Sequence, residues 1–280
     1  MATAASMQEV RALLRLAGDA PDDGIDLAGT ALALAALDRP RVPLDRYRAH
    51  LSELAHEVAE CAADAPPGAE AAASALREVL AARHGYDGDR QTYEDLQNAN
   101  LIRVIDRRKG LPVALGILYI HAARAQGWTI TGLNFPGHFL VRLERDGDRA
   151  ILDPFEGGRT RGVTELRALL KAVAGMDAEL TPQHYRPVSD RDILLRLQNN
   201  IKLRHLGGQA IERALAVLDG MLLIAPRHAM LWRESGLLLA RLGDFGGAVH
   251  SLETFMGLTS DEGLRHQTAV VLQRLRSRLD

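Results

Sequence analysis

One stretch of the sequence, residues 110–158, constrains the fold more than any other. Pro112 suits the first turn of a helix because its missing N–H is one of the donors left unpaired there, and apolar residues follow at helical spacing to about residue 126. Alternating apolar and polar segments come next, and Asp146-Gly147 between two of them favours a two-residue hairpin turn. The stretch therefore predicts a helix followed by a small antiparallel sheet.

The hairpin turn predicts which side chains face one another. If the two residues flanking the turn pair, Asp153 lies opposite Leu140 and diagonal to His138, at about 7–8 Å between α-carbons. From there the Asp153 carboxylate can bond one ring nitrogen of His138 and fix its orientation and tautomer, which is the task of the third member of a catalytic triad. A register shifted by one residue would place the two side chains on opposite faces.

The first turn of the predicted helix is where a nucleophile would be expected. Free N–H groups and the helix dipole there lower a thiol pKa and stabilise an oxyanion. This turn reads Pro112-Val113-Ala114-Leu115, and Ala114 carries no nucleophilic atom. The single cysteine, Cys61, lies far upstream. We interpret it as a small buried side chain, and a nucleophile brought to His138 from a distant helix is the alternative.

Four motifs carry a resemblance to a known family: Tyr93-x-Asp95-x-x-Asn98, Arg107-Arg108-Lys109-Gly110-Leu111-Pro112, Phe135-Pro136-Gly137-His138-Phe139-Leu140-Val141-Arg142 and Leu152-Asp153-Pro154-Phe155. Together they resemble a bacterial transglutaminase-like family whose members are often labelled invasion-regulator homologues. The resemblance implies a transglutaminase- or papain-like core followed by tetratricopeptide repeats. It also implies that His138 and Asp153 take the second and third triad positions, and that Ala114 stands where an active enzyme has cysteine.

Four further residues are predicted to line the cleft around the three triad positions: Asn98, Pro112, Asn134 and Gly137. Asn98 can direct its amide into the site as an oxyanion donor, or it can bond the local backbone and fix how its helix docks. Gly137 permits a positive φ or a close backbone approach. For His138 itself, a structural histidine satisfied by Asp153 or by backbone is the alternative to a residue of the cleft.

The C-terminal third has the pattern of helical repeats. A helix capped by Ser189 or Asp190 is expected to run to about residue 206, another covers about 210–224, and a last one covers about 262–278. Between them, the spacing is that of a tetratricopeptide unit: Trp232, Gly236, Leu239, Gly243, Phe245, Ala248 and Leu252. Such an array can present a groove to a protein or peptide, or it can act as a brace that completes the fold, and the sequence leaves both open.

The remaining pattern is mostly helical, so the fold class is α+β. We predict an N-terminal helical region over 1–86 that packs on the core, a core over 87–181, and repeat helices over 188–280. Within them the expected helices lie near 7–17, 26–37, 43–63, 69–84, 93–105 and 163–174, and residues 181–187 read as a linker.

Composition excludes several classes of function. With 47% hydrophobic and 25% charged residues the chain is typical of a soluble globular protein. A net charge of −2 gives no electrostatic reason to bind nucleic acid or an anionic membrane. Residues 1–6 lack the pattern of a signal peptide and the longest apolar run is too short to insert into a membrane, so we expect a cytoplasmic protein. Neither paired metal ligands nor a phosphate-binding loop occurs in the sequence, so no cofactor is expected.

Two hypotheses of function follow. In the first, the protein is a pseudoenzyme that keeps the cleft around His138 and Asp153 to bind an unidentified protein or peptide. In the second, it is a hydrolase or protease-like enzyme that uses water or an unidentified nucleophile. The first is favoured because a triad without its nucleophile retains only about 10³–10⁴-fold acceleration over water.

Overall fold

A computed structural model describes residues 7–279. The predicted mostly helical α+β fold is confirmed, and the interpretation of residues 1–6 falls outside the described residues. The helices are α1 (Met7–Asp19), α2 (Leu27–Asp38), α3 (Asp45–Ala62), α4 (Ala69–Arg77), α5 (Leu101–Arg107), α6 (Pro112–Arg124), α7 (Val163–Ala174), α8 (Asp190–Gly207), α9 (Ile211–Ile224), α10 (Ala229–Leu242), α11 (Phe245–Leu258) and α12 (Glu262–Arg276). The strands are β1 (Asp87–Gly88), β2 (Lys109–Gly110), β3 (Thr129–Leu133), β4 (Leu140–Arg145), β5 (Asp148–Asp153), β6 (Arg159–Thr160) and β7 (Pro187–Val188).

The chain divides into two compact units. The first extends through Val10 and resumes over Pro21–Leu197, and the second consists of Arg11–Ala20 and the chain from Gln198 onward. The predicted boundaries near residues 86 and 181 stay a prediction. Among the helices of residues 7–279, none combines the length and the apolar character needed to span a lipid bilayer.

The five-stranded sheet of the first unit has the order β6-β5-β4-β3-β7, and every neighbouring pair in it is antiparallel. Strands β4 and β5 form the predicted hairpin, in which Arg145 pairs with Asp148. Asp146 and Gly147 both have positive φ, 54° and 82°. This is the geometry of a type I′ turn, whose twist matches that of the flanking strands. The predicted register is confirmed.

Helix α6 is the centre of the first unit. Every residue from Leu111 to Ile120 is buried, and α2, α3, β3 and β4 all pack on the helix. Two glycines allow the ring of Phe139 to lie between α6 and the sheet: a Cβ at Gly116 would come within 2.4 Å of that ring, and one at Gly132 within 2.6 Å. The segment that carries His138 is therefore held against the N-terminal half of α6.

A second close approach fixes α6 against the turn after β5. A Cβ added at Gly158, whose φ is +76°, would lie 2.5 Å from the hydroxyl oxygen of Tyr119. That hydroxyl is buried and has no hydrogen-bond partner among the described residues. Burial raises the pKa of Tyr119, with the nearby carboxylates of Asp87 and Asp153 adding to the effect.

The predicted helix over 93–105 is wrong in one respect, because the structure breaks it at Asn100. A short 3₁₀ turn, Leu96–Ala99, precedes α5, and Asn100 between them is extended, with φ −94° and ψ 111°. The Asn100 side chain accepts a hydrogen bond from the Arg103 N–H and caps α5. An Asn oxygen that satisfies a free N–H competes with a continuous helix.

Two other segments also differ from their prediction. Residues 181–187 are not only a linker: a 3₁₀ turn, Pro182–Tyr185, leads into β7, which pairs with β3. The sheet accepts Pro187 because β7 is an edge strand, where a missing N–H costs no ladder bond. The predicted helix over 69–84 is divided, since α4 continues as a π-helical segment over Glu78–Arg83.

The second unit contains the predicted repeat helices α9–α12. A Cβ at Gly236 of α10 would lie 2.6 Å from the Leu252 side chain of α11, so only glycine allows these helices to pack so closely. Gly243 ends α10 with φ +83°, and the Asp244 side chain caps α11 by accepting from the Gly247 N–H. The small residue, the helix stop and the cap together produce the compact α10–α11 pair.

Candidate functional site

The structure brings together the two residues that the hairpin register predicted to meet. His138 Nε2 lies 2.8 Å from Asp153 Oδ1. Asp153 ends β5 and its side chain is fully buried, while His138 retains 13% exposure of its side chain. One detail of the prediction is wrong: His138 does not lie on β4 but two residues before the strand begins, after a turn at Pro136-Gly137.

Asp153 is held by more donors than His138 alone. The guanidinium of Arg161 donates to Asp153 Oδ2 through Nη2 at 2.7 Å and Nε at 3.1 Å. The backbone N–H groups of Phe155 and Glu156 donate to Oδ1 at 3.1 and 3.3 Å. We call Asp153, His138, Arg161 and the backbone N–H groups of Phe155 and Glu156 the Asp153 cluster. Burial alone would raise the pKa of Asp153, but the bonds and charges of His138 and Arg161 outweigh it and hold the pKa below its ordinary value.

The imidazole of His138 is fixed on several sides. Its ring meets the ring of Phe155 edge to face, with centroids 6.0 Å apart, and its backbone carbonyl accepts from Arg196 Nη2 at 2.6 Å. The guanidinium of Arg196 lies 5.5 Å from the centre of the Phe139 ring, and burial lowers the pKa of Arg196. Within residues 7–279 no group bonds to Nδ1 of His138, so this nitrogen is the one available to a ligand.

Ala114 lies in the first turn of α6 and its side chain is fully buried. Gly116, two residues further along the same helix, contacts Phe139, the residue after His138. The methyl group of Ala114 and the imidazole therefore belong to neighbouring segments. A methyl group can form neither a covalent intermediate nor a charged hydrogen bond.

Asn98 is fully buried, and its amide is occupied on both sides. Its Nδ2 donates to the carbonyls of Thr92 at 2.6 Å and Tyr93 at 3.5 Å, and its Oδ1 accepts from Arg107 Nη1 at 2.8 Å. Arg107 also donates to Asp89 at 2.8 Å. These bonds fix the 89–98 loop, so the geometry matches the backbone-bonding alternative for Asn98.

The other predicted cleft residues have different surroundings. Pro112 is buried as the first residue of α6. Asn134 is exposed, and its backbone N–H donates to the Arg186 carbonyl at 3.0 Å. Gly137 has a φ of +65°, and a Cβ there would come within 2.5 Å of Val173 on α7. The turn before His138 therefore requires glycine for both its conformation and its packing.

Cys61 lines a surface depression, and potential metal ligands are not grouped in the described chain. Cys61 is half-buried at the end of α3 and lines a surface depression together with Pro66, Pro67 and Gly68. In the described chain, no three His, Cys, Asp or Glu side chains are grouped as they would be to hold a metal ion.

Sequence reasoning missed the two arginines of the site. Arg161 reaches Asp153 because the chain reverses after β5 through Gly157 and Gly158, both with positive φ, and returns past the carboxylate. That pair of glycines was the available signal. Arg196 comes from α8, 58 residues after His138 in the sequence, and no local pattern indicated its contact.

The Asp153 cluster can orient an imidazole and stabilise a negative charge, which are the tasks that surround the nucleophile in a catalytic triad. Asp153 fixes the ring of His138 through Nε2 and leaves Nδ1 to face a ligand. The carboxylate is also neutralised by Arg161, so its charge is not reserved for His138. This chemistry suits hydrogen bonding to a bound group, while bond cleavage would need an additional nucleophile.

Comparison with known proteins places the chain in a family. A family model described as the transglutaminase-like superfamily matches residues 45–199, and one described as a tetratricopeptide repeat matches residues 201–279. The UPF0162 protein of Xylella fastidiosa strain Temecula1 is 31% identical over 244 residues, 85% of each chain. The UPF0162 protein of Vibrio cholerae is 32% identical over 221 residues, 79% of this chain and 81% of that protein. F-box only protein 21 of Mus musculus is 34% identical over 82 residues, 29% of this chain and 13% of that protein. The chain therefore belongs to the transglutaminase-like superfamily, is similar to bacterial UPF0162 proteins over most of its length, and carries tetratricopeptide repeats after its transglutaminase-like domain.

Proposed function

We propose that the protein is a non-catalytic transglutaminase-like protein that binds a protein or peptide, with Ala114 in the position of the nucleophile and with His138 and Asp153 retained as part of a binding site. The observation that carries the proposal is the buried Asp153 with its bond to His138, in a unit whose helix α6 packs against β4 and begins with Pro112-Val113-Ala114, a first turn without a nucleophilic side chain. The buried carboxylate accepts from the Arg161 guanidinium and two backbone N–H groups and also bonds His138, so it is fixed in place and holds the imidazole in one orientation.

The second unit supports a binding role. Tetratricopeptide arrays generally present concave surfaces to other proteins, and α9–α12 form such helices. A brace that completes the fold remains the alternative for these helices.

The first unit offers a group for binding as well. The Nδ1 atom of His138, which has no partner among residues 7–279, offers a hydrogen bond to a bound chain.

The position assigned to Ala114 can be tested by restoring the sulfur. In a Cys61→Ser background, Ala114→Cys should give a thiol that ionises at lower pH than a free cysteine, because the helix N-terminus and His138 favour the thiolate. The ultraviolet absorbance of the thiolate measures this at a position that is fully buried. Adding His138→Ala should raise the pH of ionisation, and Cys61→Ser alone should show no thiolate signal. A cysteine at 114 that ionises no more easily than a free cysteine and does not respond to His138→Ala would refute the assignment.

The absence of catalysis and the binding role need separate measurements. Wild-type protein should neither join a fluorescent amine to a glutamine-containing protein nor hydrolyse glutamine amides, and turnover that His138→Ala abolishes would establish an enzyme instead. For binding, quantitative affinity purification should lose a partner with His138→Ala and keep it with His56→Ala, which alters a histidine with 74% side-chain exposure on α3. Recovery of every partner with both variants would contradict binding at this site.

A further inference from the structure

A cavity of about 910 Å³ lies between the sheet and α7, apart from the His138 side chain. Its floor is apolar and consists of Ile151 from β5, Leu166 from α7, and Leu180 and Tyr185 from the segment that leads to β7. Leu166 belongs to a buried hydrophobic cluster with Leu133, Phe135, Leu140 and Leu170, and the other three floor side chains pack against this cluster. The floor is therefore a rigid apolar surface backed by the core.

The wall of this cavity is strongly basic. Five arginines line it: Arg142, Arg149, Arg161, Arg167 and Arg186. The residues that line the cavity all lie within 142–187 of the described chain, and none of them is acidic. The whole chain has a net charge of −2, so this concentration of positive charge is local. A concave surface lined by one sign of charge attracts the opposite sign.

Two of the five arginines are neutralised within the protein and three are not. Arg161 bonds Asp153, and Arg142 Nε lies 2.6 Å from Glu144 Oε1. Arg149, Arg167 and Arg186 are exposed, and within residues 7–279 their guanidinium groups form no ion pair with an acidic side chain, although the Arg149 backbone N–H donates to Asp148. These three come from separate elements, β5, α7 and the segment before β7, so their charges surround the floor rather than lie on one side.

Strand β5 is only partly paired on the side of the sheet that carries β6. Strand β6 pairs with β5 only at Leu152 and Asp153. Residues 148–151 of β5 have no strand on that side within the described chain, although the Ile151 carbonyl accepts from the Arg161 N–H at 2.7 Å. A strand whose backbone groups lack a pairing strand can bind an extended peptide by strand addition.

We propose that this cavity binds an extended peptide segment of a partner protein, in which carboxylate side chains lie on both sides of an apolar side chain. The apolar side chain rests on the floor, and the carboxylates meet Arg149, Arg167 and Arg186. A peptide fits better than a small anion because the three unpaired guanidiniums are distributed around the cavity, whose volume is close to the upper limit of about 1,000 Å³ for small-molecule pockets. This site shares Arg161 with the Asp153 cluster but uses neither His138 nor Asp153, so the proposal does not depend on the proposed binding role of His138.

The test uses the full chain and a fluorescein-labelled heptapeptide, Glu-Glu-Asp-Leu-Glu-Asp-Glu, followed by fluorescence anisotropy. The wild type should bind it, and the double variant Arg149→Glu/Arg167→Glu should bind at least about tenfold more weakly. The matched control is Arg48→Glu/Arg83→Glu, which changes net charge equally at two arginines outside the cavity with 50% and 45% side-chain exposure. The control should bind like the wild type, and replacing the central leucine of the peptide with serine should weaken binding.

A second measurement places the peptide. Methyl signals of Ile151, Leu166 and Leu180 in the nuclear magnetic resonance spectrum should shift on addition of the peptide, and the same signals in the unbound double variant show whether the fold is intact. The proposal is overturned if both double variants weaken binding equally, if a lysine-leucine peptide binds as well, or if these methyl signals do not move. It is also overturned if inorganic phosphate binds through Arg149 and Arg167 while the peptide does not, since the cavity would then be a small-anion site.

Discussion

Replacing Arg161 with methionine tests how much the Asp153 cluster stabilises the first unit. Methionine keeps much of the length of the side chain but removes both bonds to Asp153, whose side chain is fully buried. Removing one partner of a buried ion pair typically costs about 3–5 kcal/mol, because the remaining charge stays buried without compensation. Here His138 and two backbone N–H groups still hold the carboxylate, so we expect a loss of about 2–3 kcal/mol.

Arg159→Met is the matched control for this experiment. Arg159 lies two residues away and pairs with Glu165 at 2.5 Å, but its side chain is 61% exposed. Exposed pairs contribute about 0–1 kcal/mol. Urea unfolding should be followed by tryptophan fluorescence in a Trp232→Phe background, where Trp128, the other of the two tryptophans, reports the first unit alone. Equal destabilisation by both variants would refute the reasoning.

The effect of Arg161→Met should also depend on pH. Because the pKa of Asp153 is lowered in the folded protein, its stabilising contribution is complete above the unfolded pKa of about 3.9 and is lost as the pH falls through the folded pKa. The variant loses part of this lowering. The difference in unfolding free energy between wild type and variant should therefore be full at about pH 7 and should shrink below about pH 4. A difference that stays constant over this range would show that Arg161 acts by packing and not by its charge.

Three further substitutions test the packing around the site and in the repeats, each by urea unfolding. Gly158→Ala should cost about 2–4 kcal/mol because the added methyl group would overlap the hydroxyl of Tyr119. Its control is Gly147→Ala, which has nothing within 4 Å and should cost only the strain of positive φ, about 1 kcal/mol. Equal losses of stability would contradict the overlap. Gly236→Val should cost about 1–3 kcal/mol in the second unit by forcing α10 away from Leu252, and an unchanged midpoint would contradict this. Asn98→Ala should cost about 2–3 kcal/mol because it leaves a buried carbonyl and a guanidinium without their partner, and a loss below about 0.5 kcal/mol would show that the loop does not depend on the amide.

The sequence predicted the hairpin because its information there is local. Asp146-Gly147 specifies a turn with two positive φ angles, that turn determines the pairing of β4 with β5, and the pairing brings Asp153 within reach of His138. The repeat helices were predictable for a similar reason, since the small residue at Gly236 and the helix stop at Gly243 act within one helix pair.

The unpredicted parts depend on contacts between distant segments. A basic residue after Asp153 was visible in the sequence, but Arg159, Arg161 and Arg167 are equal candidates until the reversal at Gly157-Gly158 is known in three dimensions. At Asn100 a capping hydrogen bond competes with one more turn of helix. A periodic apolar pattern fits both outcomes, so it does not predict the break. The three arginines of the basic cavity that form no ion pair likewise come from three different elements, none of which is unusual in charge by itself.

The manner in which Asp153 is bonded bears on whether its partner is a catalytic base. In a working triad the carboxylate orients the histidine and stabilises the charge that the ring acquires when it takes a proton from the nucleophile. Here a guanidinium with two hydrogen bonds already neutralises that carboxylate, and two backbone N–H groups occupy the oxygen that faces the ring. The arrangement favours a fixed ring orientation over a response to proton transfer. Together with the methyl group of Ala114 at the start of α6, this supports our proposal that the protein retains the framework of a transglutaminase-like site for recognition.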